Sequence, residues 1–243
     1  MSKRMLVAPD EPELLYEFGM DAPPATRPYA QGDVLRDVVT AGGLTLPLSM
    51  IIAHPCSMRR SATELRKELV VAELRVLKVL DKDEWQTKYF DWFPLPDLRG
   101  QNKPMAVSFH QLHTVKTDQF DALERVTVLS EYGQMVLLQR WINHLARFIA
   151  DEQEITELIR PIQHELSLQQ DWCDRALSLE TITDPAALEE RINELGAEFQ
   201  NLLGASDDET SLRSRLHGKE PTQVAAQREI RVELQSRYPR PKT

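Results

Sequence analysis

The segment AHPCSMRRSATELRK, residues 53–67, holds the densest group of chemically reactive side chains in the sequence. His54 and Cys56 follow an apolar stretch, and Arg59 and Arg60 come soon after them. A histidine can exchange a proton near neutral pH, and an arginine can bind a phosphate through two parallel hydrogen bonds. We therefore consider His54, Arg59 and Arg60 as candidate catalytic residues. The alternative, which we favour, is that His54 and Cys56 pack at the end of a strand while both arginines are solvated.

A second group of residues, between positions 81 and 104, combines aromatic and basic side chains. Aromatic rings beside cations could stack on the unpaired bases of a nucleic acid. The same rings could instead cover one end of a small barrel or contact another protein, and we place packing and protein contact first. The residues considered for binding nucleic acid or a partner are Arg59, Arg60, Trp85, Lys88, Trp92, Arg99, Lys103 and His110.

Two histidines, His110 and His113, lie three residues apart in a predicted strand, so we expect their side chains on opposite faces. Either one could approach His54 across the sheet. A metal site built from His54, Cys56 and one of these histidines is an alternative, but the chain has no Cys-x-x-Cys or His-x-x-x-His spacing. The sequence therefore predicts neither a metal nor a cofactor.

The composition restricts the class of protein. With 243 residues, of which 42% are hydrophobic, the chain can form one large domain or two small ones, and we predict two. The net charge of -9 argues against a protein that coats nucleic acid. The acidity belongs to residues 121–243, which hold 14 basic and 22 acidic side chains, whereas residues 1–120 hold 15 and 16.

The cysteine count and the hydropathy pattern predict the compartment. Two cysteines are too few for a disulfide framework, which indicates a reducing compartment and by default the cytoplasm. No apolar segment approaches the roughly 20 residues that a membrane-spanning helix needs. We therefore predict neither secretion nor a membrane partner.

Short strands are predicted to position the candidate residues. Residues 1–28 contain several prolines and are interpreted as an N-terminal arm. Within residues 29–127, strand patterns occur in DVLRDVV, LPLSMIIAH, LRVLKVL and MAVSFHQLHTV, with a long loop and a short edge strand between the last two. Short strands with Gly and Pro turns favour a small β-barrel over a parallel sheet.

The pattern changes to helical spacing in residues 128–243, which predicts an all-α domain and an α+β protein overall. Ser130 is the predicted N-cap of the first helix, and Pro161 is expected to kink or break the next one. Thr183 or Asp184 is expected to cap a later helix, whose apolar stripe predicts self-association or a helical protein partner.

Two stretches of sequence resemble the MazF/PemK family of toxin-type endoribonucleases. The segments AQGDVLRDVV, LSMIIAHPCSM and LVVAELRV resemble the start of that family's barrel, where the first strand begins with Gly-Asp. The segments SFHQLHTVKTDQF and VTVLSEYGQMVLLQRWINHL resemble its closing strand, basic connection and terminal helix. The resemblance covers about residues 29–146, with an insertion at 80–104. It implies an SH3-like barrel, a homodimer and activity on single-stranded RNA.

The sequence departs from the family at the residues that would cleave RNA. The loop that should contain the catalytic Arg reads TAGGLTLPLSM, and the segment that should contain a Thr or Ser reads AELRV. RNA cleavage of this type needs a base, an acid and a positive charge on the phosphate. We therefore predict a non-catalytic component of a toxin-antitoxin or phage-defence system that binds protein or nucleic acid.

Two alternatives stay open at this point. A divergent endoribonuclease would cut single-stranded RNA through His54 and Arg59 or Arg60. A third possibility is that the acidic helical half masks the binding groove of the barrel, as an antitoxin does in trans.

Overall fold

The computed structural model describes residues 5–59, 65–78, 84–86, 88–99, 101–147, 149–205 and 208–240, and at Pro55 and Cys56 the backbone alone. The chain divides into two compact units. The sheet unit comprises Met1–Pro23, Tyr29–Met58 and Leu65–Arg160, and the helical unit comprises Pro24–Pro28, Arg59–Glu64 and Pro161–Thr243.

Six antiparallel strands form one sheet in the sheet unit. They are β1 (Val34–Val39), β2 (Thr45–Ile51), β3 (Glu68–Val76), β4 (Trp92–Leu95), β5 (Met105–Lys116) and β6 (Arg125–Thr127). Their order across the sheet is β4-β5-β3-β2-β1-β6. The sheet is open, with β4 and β6 as its edges, so the predicted α+β class is confirmed but a closed barrel is not. An isolated bridge nevertheless pairs Thr40, just after β1, with Val115 of β5.

A tight turn joins β1 to β2. The N–H of Thr40 donates to the carbonyl of Leu44 over 2.8 Å, and the N–H of Gly43 donates to the carbonyl of Thr40 over 2.9 Å. Gly43 has a φ of 82°, a left-handed conformation that glycine adopts without steric cost. The sequence TAGGL therefore forms a compact turn that its own backbone closes.

The second half of β2 is buried on both faces, which explains the apolar run LSMII. Val34 and Met50 pack into one core cluster, whereas their neighbours Leu35 and Ile51 pack into another. The first cluster lies between the sheet and helix α2 (Glu131–Ala146), which contributes Met135, Val136 and Leu137. Ser130 caps this helix as predicted, because its hydroxyl accepts a hydrogen bond from the N–H of Gly133 over 3.0 Å.

The remaining helices are α1 (Pro55–Met58), α3 (Glu152–Leu177), α4 (Pro185–Leu203), α5 (Leu212–Leu216) and α6 (Glu220–Arg237). Pro161 was expected to kink or break a helix, and of these two outcomes the break is wrong, because α3 continues through that residue. Asp184 caps α4 and accepts a hydrogen bond from the N–H of Ala187 over 2.9 Å.

The apolar stripe of α4 is packed inside the helical unit. Its Leu195 and Phe199 are fully buried in one cluster with Trp172 of α3 and Ile230 of α6. That stripe therefore does not argue for an external helical partner. None of the helices in the described part of the chain combines the length and the apolar character needed to cross a bilayer.

Candidate functional site

Three side chains that can bind protons or metal ions meet at the surface of the sheet unit. Asp91 immediately precedes β4, His110 lies in β5, and His144 lies in the last turn of α2. One donor atom from each residue lies within 4.8 Å of the other two. Among the residues that the structure describes, this is the one group of three or more His, Cys, Asp or Glu side chains with donor atoms so close together. We call it the histidine cluster.

The carboxylate of Asp91 is the centre of the histidine cluster. Its Oδ1 lies 2.8 Å from Nδ1 of His144, and its Oδ2 lies 3.5 Å from Nε2 of His110. Because an ionised carboxylate can only accept, Nδ1 of His144 must donate in this short contact. Arg147 approaches the same Oδ1 to 3.7 Å. The hydrogen bond from His144, followed by the contact with His110, holds the pKa of Asp91 below its ordinary value despite partial desolvation.

Aromatic neighbours fix the orientation of the His144 ring. The indole of Trp141, one turn earlier in α2, stacks on the imidazole with a centroid distance of 5.7 Å and an interplanar angle of 17°. Phe109 packs against the same ring at 5.4 Å, and the ring of His110 meets it edge-on at 5.0 Å. The His144 side chain is 13% exposed, against 60% for that of His110. One histidine of the cluster is therefore held by packing, and the other faces solvent.

A strained turn places Asp91. Tyr89 has a φ of 59°, which is unfavourable for a residue with a bulky side chain. Its carbonyl accepts hydrogen bonds from the N–H of Trp92 over 3.1 Å and from the guanidinium of Arg140 over 3.3 Å. The carbonyl of Asp91 accepts from the N–H of Phe109 over 3.0 Å. The turn is thus tied to both β5 and α2, so the carboxylate faces the two histidines.

The residues first considered for catalysis lie elsewhere. His54 is exposed in the sheet unit, where its carbonyl accepts a hydrogen bond from the N–H of Met58 over 3.1 Å, and partial desolvation lowers the pKa of its imidazole. Arg59 belongs to the helical unit. Arg60 and the side chain of Cys56 lie outside the part of the chain that the structure describes.

Arg59 lies among charged residues of the helical unit. Burial lowers the pKa of its guanidinium, while the charge of Glu165 acts in the opposite direction. Glu165 contacts Arg213 at 3.5 Å and His217 at 3.1 Å. Burial alone would raise the pKa of Glu165, but the hydrogen bond from His217 and the charge of Arg213 hold it below its ordinary value. Glu165 therefore interacts with two arginines and a histidine, which gives Arg59 an electrostatic partner inside the helical unit.

Among the residues considered for binding, only His110 belongs to the histidine cluster. Trp85 is 2% exposed and forms part of the core, so its ring packs inside the sheet unit. Lys88 is exposed and forms an ion pair with Glu84. Trp92 is half-buried, and Arg99 donates to the carbonyl of Val126 over 3.4 Å.

Lys103 lines a cavity of about 350 Å³ in the sheet unit. Four prolines and Trp85 form one half of its walls, and the polar or charged residues Glu13, Asp97, Gln101, Asn102 and Lys103 form the other half. The lining residues include Pro9, Pro12, Trp85, Pro96, Lys103 and Pro104. Prolines and Trp85 thus alternate with polar and charged side chains around this cavity, and no histidine is among the described residues that line it.

Sequence reasoning missed Asp91 and His144. Asp91 lies in the inserted segment, and His144 has the helical spacing of an ordinary amphipathic position next to Trp141. No local motif joins positions 91, 110 and 144, because they come together only when β4, β5 and α2 pack. Comparisons of the chain with models of known protein families and with curated protein sequences find no match.

Proposed function

We propose that the chain is a MazF/PemK-like protein that binds single-stranded RNA but does not cleave it by that family's mechanism. The resemblance over residues 29–146 supports the family, and with it an SH3-like barrel. The bridge between Thr40 and Val115, together with a 2.8 Å hydrogen bond from the N–H of Ala41 to the carbonyl of Thr114, supports partial closure of the sheet between β1 and β5.

The absence of a cation from the β1–β2 turn supports the loss of the family's catalytic mechanism. No Lys or Arg occurs between Val39 and Ala53. In the segment where the resemblance places a Thr or Ser, Arg75 forms an ion pair with Glu73 at 3.1 Å. Stabilisation of the pentacoordinate phosphorus transition state by a cation is worth several kcal/mol, so loss of that cation would slow the reaction by orders of magnitude.

The observation that supports RNA binding is a set of exposed side chains that belong to the histidine cluster or lie within three residues of one of its members in the sequence. The side chains of Lys88, His110 and Arg147 are 60%, 60% and 68% exposed, and Phe90 is 39% exposed. Ion pairs at such exposed sites are weak, so a phosphate can compete for Lys88 and Arg147. An exposed ring can stack on a base of any sequence. Proteins that bind single-stranded RNA combine positively charged side chains with aromatic rings in this way.

Fluorescence anisotropy with a labelled single-stranded RNA tests this proposal. We expect Phe90→Ala to weaken binding about tenfold, since base stacking contributes roughly 1–3 kcal/mol. We expect Arg147→Ala to weaken binding and to reduce the slope of log K against log salt by about 0.7, because one phosphate contact is lost. Arg75→Ala removes an exposed arginine of the same unit whose ion pair is with Glu73 and not with Asp91, so this variant is the matched control and should bind as the parent does. An affinity unchanged by both Phe90→Ala and Arg147→Ala would contradict the proposal and favour a protein partner.

A second candidate function is RNA cleavage by the histidine cluster itself. The Asp91–His144 hydrogen bond beside His110 supplies an oriented base and a second group that can act as acid. We expect no recurring cut sites when RNA fragments are sequenced after incubation with the protein. If cuts recur and disappear in His110→Ala, the cluster is catalytic. If they disappear in His54→Ala instead, the segment at 53–60 is catalytic.

We also propose a homodimer through the sheet unit, in a toxin-antitoxin or phage-defence setting in the cytoplasm. Both the homodimer and the toxin-antitoxin or phage-defence system are what the resemblance to the MazF/PemK family implies. The free, buried thiol of Cys173 supports a reducing compartment. Light scattering of the full chain measures the stoichiometry, and a monomer at all concentrations would contradict the dimer.

A further inference from the structure

We propose that Asp91, His110 and His144 bind one divalent transition-metal ion. This inference goes beyond RNA binding and does not depend on it. It rests on three donor groups of the right chemical type that three different elements, the segment before β4, strand β5 and helix α2, bring within 4.8 Å of one another.

The spacing of the donor atoms fits a first coordination shell. A tetrahedral zinc ion holds nitrogen and oxygen ligands at about 2.0–2.2 Å, which places those ligands roughly 3.4 Å from each other. The two contacts of the Asp91 carboxylate, 2.8 Å to Nδ1 of His144 and 3.5 Å to Nε2 of His110, lie on either side of that value. The two contacts are made by different oxygens of the carboxylate, so metal binding also requires side-chain rotations that bring one donor atom of each residue, now within 4.8 Å of one another, to that spacing.

The donor set indicates which ions bind. Imidazole nitrogen suits Zn²⁺, Co²⁺, Ni²⁺ and Fe²⁺, whereas Mg²⁺ and Ca²⁺ require shells made of oxygen. Two imidazoles and one carboxylate thus select a transition metal. Because only three protein groups converge and His110 is 60% exposed, the remaining coordination positions face solvent. Such an open site holds water that other ligands can displace.

The surroundings of the cluster hold two of its ligands in place. His144 is stacked on Trp141, so its ring loses little freedom when an ion binds, and the hydrogen bond from the N–H of Phe109 to the carbonyl of Asp91 fixes the backbone that carries the carboxylate. His144 also lies in the last turn of α2, where the helix dipole places partial negative charge. Both features favour a cation between Asp91 and the histidines.

One nearby charge opposes the ion. Arg147 lies 3.7 Å from the Asp91 carboxylate, and its side chain is 68% exposed. In the absence of metal it neutralises the same carboxylate that an ion would bind. Removal of this guanidinium should therefore strengthen metal binding, although the same substitution is expected to weaken RNA binding. Because Arg147→Ala is expected to change metal affinity and RNA affinity in opposite directions, this one variant tests the two proposals separately.

Titration of the purified full chain, prepared without a histidine tag, tests the site. Co²⁺ is added in metal-free buffer while its visible d–d absorption is recorded, and Zn²⁺ binding is measured by calorimetry. We expect one ion per chain. We expect Asp91→Asn and His110→Ala each to weaken binding at least about tenfold, since even the loss of an outer-shell partner costs roughly 10–100-fold. Arg147→Ala should tighten it.

The controls keep the result interpretable. His54→Ala removes an exposed histidine of the same unit and should leave the affinity unchanged. Asp91→Asn is nearly isosteric, and His110 is exposed, so near-UV circular dichroism should show that both variants keep the parent fold. Absence of saturable binding by the parent chain would overturn the proposal. So would one-to-one binding that survives both Asp91→Asn and His110→Ala, whatever the RNA measurements show.

Discussion

Replacing Arg140 with alanine is expected to lower the free energy of unfolding of the sheet unit by about 4 kcal/mol. The Arg140 side chain is fully buried, and its guanidinium donates to the carbonyls of Val7, Trp85 and Tyr89 over 3.1, 2.6 and 3.3 Å. Each hydrogen bond to a charged group is worth roughly 1.5–3 kcal/mol, and each carbonyl left buried without a donor costs roughly 1–3 kcal/mol. These contributions are not independent, so we expect less than their sum.

The role of Arg140 is to join separate parts of the chain. Its guanidinium also lies over the ring of Trp85 at 5.1 Å, and among the described residues no carboxylate forms an ion pair with it. Burial lowers the pKa of Arg140 to about 10, so the side chain stays charged at neutral pH. The three carbonyls replace water around that charge. Because one of them belongs to Tyr89, the loss of Arg140 should also displace the turn that holds Asp91.

Denaturant unfolding followed by tryptophan fluorescence measures this effect, since three of the four tryptophans, Trp85, Trp92 and Trp141, lie in the sheet unit. Arg147→Ala is the matched control on the same stretch of chain, because its side chain is exposed and its ion pair is weak. We expect that control to change stability by no more than about 0.5 kcal/mol. A loss of less than about 1 kcal/mol in Arg140→Ala would show that the network is not structural.

Replacing Gly133 with alanine is expected to destabilise the sheet unit by about 2 kcal/mol. Alanine is favoured over glycine by about 1 kcal/mol in helix propensity, so propensity alone predicts that this substitution in α2 stabilises the protein. The new Cβ would lie 2.2 Å from the carbonyl oxygen of Leu15 and 3.2 Å from Cβ of Leu129. The first neighbour is backbone, so the clash cannot be relieved by rotating a side chain.

Relief of this clash requires the N-terminal segment to move away from α2. Ser130 donates its N–H to the carbonyl of Leu15 over 2.9 Å and its hydroxyl to the carbonyl of Leu14 over 2.5 Å. A shift of that segment would break both hydrogen bonds and open the core around Leu15. The stability lost with these hydrogen bonds and with core packing should therefore exceed the stability gained from the higher helix propensity of alanine.

Thermal or denaturant unfolding of Gly133→Ala shows directly whether the substitution lowers or raises the stability of the protein. Gly42→Ala is the matched control, because a Cβ there would meet nothing closer than 3.9 Å and the residue does not need a left-handed backbone. We expect the control to be neutral within about 0.5 kcal/mol. A stabilised Gly133→Ala variant would mean that the N-terminal segment does not pack on α2.

Sequence by itself determined the elements whose signals are local. The β-branched residues of DVLRDVV predicted a strand that the structure places at Val34–Val39, and MAVSFHQLHTV predicted the strand that it places at Met105–Lys116. Ser130 was predicted as a cap and the choice for α4 was narrowed to Thr183 or Asp184, because a short oxygen acceptor before an amphipathic run satisfies the free N–H groups of the first turn. These features depend on residues within one turn or one strand, so no long-range information was needed.

Only the tertiary structure decided which side chains meet. Asp91, His110 and His144 are separated by 19 and 34 positions in the sequence, and no repeat or spacing rule connects them. Trp85 and Trp92 belong to the same aromatic segment, yet the first is buried under Arg140 and the second is half-buried, because the path of the loop sets their exposure. The proline within α3 likewise remains helical. The local sequence pattern determines which face of a strand or helix is apolar. Contacts between elements that are distant in the sequence depend on how those faces pack against each other. The histidine cluster forms only through such contacts.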